Sequence, residues 1–283
     1  MKKQLHHILE GIGLLFISLA IALVFRLFFA DFYKVPSDSM QPAIEPGDFI
    51  AVNKLYFGAR FYKNFDFLDG TPPETFRTPG YSSLKHNDVV VFNYPKRQNG
   101  KWEMDLTIFY VKRCIGLPGD TLTIHQGIYH VNGKSGYGNL VDQKVLHRHR
   151  GSYSPGIYHT YPFDNRKWNI QEFGPLYLPK KGDTLPMDSV NAPLYRHLVA
   201  YETRHSAHVR NKQLYVGDSL VLRYTFRQNW YFMAGDKVFN SRDSRYLGPI
   251  PEDFIVGKVA FVLSSKDPVT NEYNWDRFFK RIH

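Results

Sequence analysis

Thr107-Ile108-Phe109-Tyr110-Val111-Lys112-Arg113-Cys114-Ile115, followed by Gly116-Leu117-Pro118-Gly119-Asp120, is the stretch on which the fold turns. β-Branched and aromatic residues dominate its first nine positions, and such residues favour a pleated strand. The Gly-Leu-Pro-Gly-Asp run then supplies the punctuation that ends it. By alternation, Lys112 shares a face with Ile108, Tyr110 and Cys114, while Arg113 shares one with Val111 and Ile115. Periodicity does not choose the inner face. Chemistry separates the two cations, because arginine keeps its proton in proteins and only Lys112 can act as a base.

The same pattern extends outward on both sides. Thr121–Ile124 and Ile128–Val131 flank Gln126-Gly127 and read as a hairpin, followed by a turn at Asn132-Gly133. Phe49–Val52 follows Pro46-Gly47-Asp48, and Val89–Phe92 follows Asn87-Asp88. Ser219–Phe226, Trp230–Met233 and Phe254–Leu263 complete a mainly β, antiparallel core. Between about 134 and 215 the composition turns to Tyr, His, Pro and Gly, which reads as an inserted β-rich subdomain. Pro193–Tyr201 is the best helix there, with Ser189 as its cap. Residues 62–83 read as a smaller insertion. The expected organisation is a core of 31–133 and 216–265, an insertion at 134–215 and a basic aromatic tail at 266–283.

Upstream, Ile8–Ala30 is almost wholly apolar, broken only by Glu10, Ser18 and Arg26. As a helix it would be about 34 Å long, enough to cross a hydrocarbon core of roughly 30 Å. Arg26 lies near one end and can snorkel outward. Ala20-Ile21-Ala22 resembles the site of a cleaved leader. The apolar run continues to Phe29, however, which favours an uncleaved anchor. Lys2 and Lys3 place residues 1–7 on the cytoplasmic side and the remainder outside.

The formal charge is +10, from 36 Lys and Arg against 26 Asp and Glu. No nucleic-acid recognition motif accompanies it, and an anionic membrane surface suits it as well. A single cysteine, Cys114, rules out an internal disulfide and reads as a small buried hydrophobe. His147-Arg148-His149 and His205/His208 lack a nearby carboxylate or thiolate cluster, so they read as solvent-facing loop residues rather than metal ligands. Trp275–Arg281 alternates aromatic and basic residues, as either a short interfacial helix or a segment packed on the body.

Four segments carry chemistry: Val35–Pro42, Leu84–Phe92, Tyr110–Asp120, and Tyr231–Asp236 continuing through Asn240–Gly248. Each is weak alone; Ser39 between two prolines reads as a plain turn. Together, behind an apolar anchor, they resemble the bacterial type I signal peptidases. That family's pattern runs P-S-x-S-M-x-P, K-R-x-x-G-x-P-G-D and G-D…S-x-D-S-R-Y-x-G. Here it falls on Pro36–Pro42, Lys112–Asp120, and Gly235-Asp236 with Ser241–Gly248. The resemblance covers the anchor and residues 35–60, 84–131 and 230–263.

The resemblance implies a membrane-bound serine endopeptidase of the bacterial inner membrane, with its catalytic body on the extracytoplasmic side. It would cut signal peptides from exported preproteins after small residues of Ala-x-Ala type. Ser39 would be the nucleophile and Lys112 its general base. The Ser37 hydroxyl would join the Ser39 N–H in the oxyanion hole. Ser241 would orient the lysine amine, and Asp243 and Arg245 would form a structural ion pair. Val35, Met40, Ile44 and Val111 would line pockets for small side chains. No metal or organic cofactor is implied.

Two departures stand out. Asp38 replaces the usual small residue beside the nucleophile, and Lys237-Val238-Phe239 replaces a polar stretch. Two rivals remain at this point. A self-cleaving Ser–Lys repressor-type protease is disfavoured by the membrane span. An inactive membrane-tethered scaffold is disfavoured by intact Ser39 and Lys112.

Overall fold

The computed structural model describes residues 2–63, 73–98, 101–148, 160–162, 166 and 168–282. The first element, α1 (Lys2–Phe28), contains an apolar span at Leu9–Phe28 long enough to cross a membrane. It ends earlier than the expected Ala30 because the chain is captured by a sheet. Ala30 already pairs with Asn53, and the Phe29 carbonyl accepts from Lys54 N at 3.0 Å. The Lys54 ammonium also donates to the Arg26 carbonyl at 3.0 Å, satisfying one of the free carbonyls of the helix end.

The strands that follow are β1 (Ala30–Lys34), β2 (Asp48–Asn53), β3 (Arg60–Tyr62), β4 (Thr75–Arg77), β5 (Val89–Gln98) and β6 (Lys101–Gly116). Next come β7 (Thr121–His125), β8 (Ile128–Val131), α2 (Leu140–Arg148), β9 (Phe173–Tyr177), β10 (Thr184–Pro186) and α3 (Asn191–Thr203). The last part holds β11 (Ala207–Arg210), β12 (Gln213–Val216), β13 (Ser219–Val221), β14 (Arg223–Thr225), β15 (Trp230–Ala234), α4 (Ser244–Leu247), β16 (Ile250–Pro251), β17 (Ile255–Ser265) and β18 (Lys280–Arg281).

The main sheet runs β1-β2-β17-β5-β6-β15-β16, with β18 also on β17, and its pairs are antiparallel. The expected mainly β antiparallel core is therefore present. β6 lies between β5 and β15, pairing Lys112 with Val90 and Cys114 with Met233. A side chain on its inner face is thus screened from water by neighbours on both edges. Cys114 is fully buried there, as expected of a small hydrophobe. A separate apolar cluster joins Val35, Met40 and Ile44 to Ile50, Val52, Val89, Val91 and the β17 valines.

Several expectations are corrected by the pairings. The hairpin at Gln126-Gly127 forms, with positive φ at both residues (49° and 79°), the geometry of a tight two-residue turn. Its strands do not join the main sheet: β7 pairs with β9, making a second sheet that spans the expected boundary at 133/134. Ser219–Phe226 is two strands, β13 on β12 and β14 on β10. The helix α3 outruns Pro193–Tyr201 at both ends, and Ser189 is not its cap. Asp188 does that work, accepting from the Val190 and Asn191 N–H groups at 2.9 Å each. The tail forms only a three-residue helical turn at Trp275–Arg277 before β18 and packs on the body. Part of the 62–83 segment and His149 lie outside the described residues, while His147, His205 and His208 are exposed.

The sheets are linked to α3 through one carboxylate. Glu202, buried at 9% exposure, accepts from Trp230 Nε1 (2.9 Å) and Tyr224 Oη (2.9 Å). It also accepts from the Arg227 and Gln228 N–H groups at 2.8 and 3.2 Å. Removing the acceptor strands four donors, and each buried unpaired donor costs about 1–3 kcal/mol. Glu202→Ala should lower unfolding free energy by roughly 2–4 kcal/mol, since some donors will recruit water. Chemical denaturation followed by tryptophan fluorescence measures it.

Candidate active site

Ser39 sits in the irregular segment between β1 and β2, and Lys112 on β6 reaches it from the sheet. The two come together: Lys112 Nζ donates to Ser39 Oγ at 2.7 Å and to the Val111 carbonyl at 2.9 Å. Both are buried, at 4% exposure for Lys112 and 8% for Ser39. Ser37 Oγ stands 3.5 Å from Ser39 Oγ. The Tyr110 ring lies beneath the amine, 5.2 Å from Nζ to centroid. Ile108, which shares the Lys112 face by alternation, is exposed at the cavity edge.

Burial is the largest influence on Lys112 and takes its pKa from 10.5 down to about 8. Asp243 and Asp236 pull the other way, and Arg245 opposes them. Each of these carboxylates has its own arginine. Arg245 holds Asp243 through Nε–Oδ1 (2.9 Å) and Nη2–Oδ2 (2.8 Å), with both side chains fully buried. Burial alone would raise Asp243, but the Arg245 guanidinium and the Gly235 N–H outweigh it and hold the carboxyl below its ordinary range. Asp243 also caps α4 through the Arg245 N–H. Arg113, on the opposite face of β6, grips Asp236 with two bonds of 2.7 Å. The sequence gives no role to this second pair, although Arg113 and Asp236 both stand in the quoted motifs.

Ser241 is buried beside the site, yet its Oγ is not bonded to Lys112; its hydroxyl is instead among the influences that lower Asp243. Its placement follows from the motif; the direction of a small hydroxyl does not. The segment does approach Ser39 closely at Gly235, where a Cβ would fall 2.7 Å from the Ser39 carbonyl oxygen and 2.1 Å from Ser241 Oγ. Only glycine permits this approach of the two backbones.

A cavity of about 610 Å³ opens over Ser39 and Lys112. Of the four apolar residues expected to line it, Val35 and Val111 do so. Met40 and Ile44 do not line it: both are fully buried in the cluster behind the nucleophile segment. The resemblance that grouped them carries positions over but not the direction in which each side chain leaves an irregular loop.

The two departures meet in space. Lys237 Nζ forms an ion pair with Asp38 Oδ2, and Asn240 Nδ2 donates to the other Asp38 oxygen at 2.9 Å. The Lys237 N–H donates to the Ser39 carbonyl at 3.1 Å. The hydrogen bond from Lys237 is the main cause of the lowered pKa of Asp38. What reads in sequence as two unrelated substitutions is one contact between the nucleophile segment and the loop after β15. Arg242 adds an exposed guanidinium to the cavity wall, 5.9 Å from the Tyr94 ring centroid.

A buried hydroxyl bonded to a buried amine of lowered pKa can lose its proton to that amine and attack a carbonyl carbon. The family model described as signal peptidase, peptidase S26, matches residues 8–264. Signal peptidase I of Pseudomonas aeruginosa is 30% identical over 273 residues, covering 92% of this chain and 74% of that protein. Signal peptidase I of Buchnera aphidicola subsp. Acyrthosiphon pisum is 27% identical over 280 residues, covering 96% and 80%. A solved signal peptidase I from Enterococcus faecalis V583 shares 21% identity over 62% of this chain and 97% of its own, with a TM-score of 0.29. With nearly the whole chain matched, and the matched region containing Ser39 and Lys112, the protein belongs to the signal peptidase family, peptidase S26.

Proposed function

We propose that this chain removes signal peptides from preproteins with Ser39 as nucleophile and Lys112 as general base. The observation that carries the reading is the 2.7 Å bond from a buried amine to a buried hydroxyl at the floor of an open cavity. Lys112 takes the Ser39 proton as Oγ attacks the scissile carbonyl, then returns it to the leaving amine. Water next enters and loses a proton to the Lys112 amine as it attacks the acyl carbonyl; Lys112 then returns that proton to Ser39 Oγ as the Oγ–carbonyl bond breaks and the cleaved signal peptide leaves. The Ser39 N–H and the Ser37 hydroxyl receive the developing oxyanion.

Asp243 and Arg245 act structurally, holding the 241–247 segment against the base, and Ser241 packs beside it. Val35 and Val111 shape the wall for small side chains, which supports cleavage after Ala-x-Ala-type sequences. Helix α1 anchors the enzyme in the inner membrane with Lys2 and Lys3 on the cytoplasmic side. The body then meets preprotein signal peptides at the outer face of the bilayer.

Purified protein incubated with a preprotein bearing an Ala-x-Ala site should yield one product whose new N-terminus follows the second Ala. Ser39→Ala and Lys112→Ala should abolish this turnover, and Lys112→Arg should be equally dead because guanidinium retains its proton. Ser37→Ala should lose about 10²–10³ in rate, the effect of one oxyanion donor. Normal turnover by folded Lys112→Ala would overturn the base assignment.

The amine must be neutral to act, so kcat/KM should rise with pH along a limb centred near pH 8. Stopped assays across buffers that overlap in pH would read it. An activity limb falling through the same range would contradict the assignment.

The Asp38–Lys237 pair is partly exposed, at 32% and 37%. Asp38→Lys and Lys237→Asp should each lower kcat by about two- to fivefold, the scale of a partly exposed pair. The double charge swap should recover most of that loss. Steady-state kinetics of the four proteins in low salt supply the test.

A further inference from the structure

The family match ends at residue 264, yet the chain beyond it is folded onto the nucleophile segment. That segment, residues 35–48, is closed on itself: Val35 N donates to the Asp48 carbonyl and Gly47 N to the Val35 carbonyl, both at 2.8 Å. Ser39 lies within this loop. The Lys266 N–H donates to the Gly47 carbonyl at 3.2 Å, and a Cβ at Gly47 would fall 1.9 Å from the Lys266 carbonyl oxygen. The two backbones therefore run in direct contact.

Arg277 then reaches back into the loop and is 5% exposed. Its Nε and Nη2 hold the two oxygens of Asp48 at 2.9 and 2.5 Å. Its Nη1 bonds Glu45 Oε1 at 2.9 Å, and Nη2 also bonds the Ala43 carbonyl at 3.1 Å. Asp48 is fully buried and accepts from the Glu45 N–H as well, at 2.9 Å. One guanidinium thus fixes three points of the loop in a geometry that a point charge would not reproduce. Further along, Ile282 is 6% exposed and packs in the cluster with Val35, Met40 and Ile44. Its N–H is tied to the Ala260 carbonyl at 3.1 Å.

We infer that the segment 266–282 is a brace that sets the position of Ser39, with Arg277 and Ile282 as positioning residues. This rests on Ser39 being the nucleophile. The brace acts through the loop and not on substrate: Arg277 is absent from the cavity lining, whereas Val35 forms part of the wall. Losing it lets the loop drift, and displacements near 1 Å in a catalytic group are enough to lose about 10²-fold in rate.

The test uses the full chain with a preprotein substrate, assayed well below the melting temperature of each variant. Arg277→Ala should lower kcat by about 10- to 100-fold with KM unchanged. Arg277→Lys should recover part of kcat, and the exposed Trp275→Ala should match the parent. Parent-like kcat in folded Arg277→Ala, as judged by circular dichroism, overturns the brace. Where Arg277→Ala does not fold, Arg277→Lys and Ile282→Val give the reading: reduced kcat in a folded protein supports the brace, and parent kcat in both overturns it. Ser39→Ala in the same assay separates the two ideas. Surviving turnover there removes the nucleophile assignment, whereas an inactive Ser39→Ala with parent-like Arg277 variants removes the brace alone.

Discussion

Everything at this site depends on keeping one ammonium out of water. Lowering Lys112 from 10.5 to about 8 shifts the balance toward the neutral amine by roughly 3 kcal/mol. Desolvation supplies it, and desolvation is available because β6 is an inner strand flanked on both edges. Nearby carboxylates would reverse the effect if left bare. Asp243 and Asp236 each carry an arginine instead, so their pull on Lys112 is partly cancelled before it reaches the amine. The two ion pairs next to the site are in this sense part of its acid–base chemistry, although neither touches the reacting atoms. A buried pair is weak evidence of stability, since its desolvation offsets its attraction. Its effect on a neighbouring titration does not depend on that balance.

Some of this was legible in the sequence for physical reasons. β-Branched and aromatic runs separated by Gly, Pro and Asp turns mark strands directly, and β2, β5, β6, β15 and β17 of the main sheet follow them, whereas β1, β16 and β18 do not stand out that way. The chemical contrast between Lys112 and Arg113 is also local, because only one of the two can shed a proton. What failed to show is non-local. Nothing in Thr121–Val131 says that its partner is Phe173–Tyr177, and Ser189 next to Asp188 leaves two capping candidates of similar merit. Met40 and Ile44 share with Val35 a hydrophobic character but not a direction. Asp38 and Lys237 lie 199 positions apart, so their complementarity is invisible until the chain folds.

Ser39 belongs to no regular element, and its position must therefore come from contacts. The loop at 35–48 has three. Gly235 allows the backbone after β15 to press against the Ser39 carbonyl. Lys237 ties the same carbonyl and the neighbouring Asp38. From the other side, the segment after β17 closes on Gly47, Asp48 and Glu45. Two of these contacts come from the loop after β15 and the third from the segment after β17, so the serine's loop is held from two sides.

These contacts differ in how the surroundings can modulate them. Arg245–Asp243 and Arg277–Asp48 are sealed from solvent, and screening by salt barely reaches charges that are not exposed. Asp38–Lys237 stands partly in water at the cavity edge. Raising ionic strength therefore loosens the Asp38–Lys237 pair while leaving the deeper ones intact. The buried pairs fix which way the loop is folded; the exposed pair trims where the hydroxyl rests within that fold. A site built this way separates what is sealed, a dry amine on an inner strand and the buried pairs around it, from the partly exposed Asp38–Lys237 contact that the surroundings can reach.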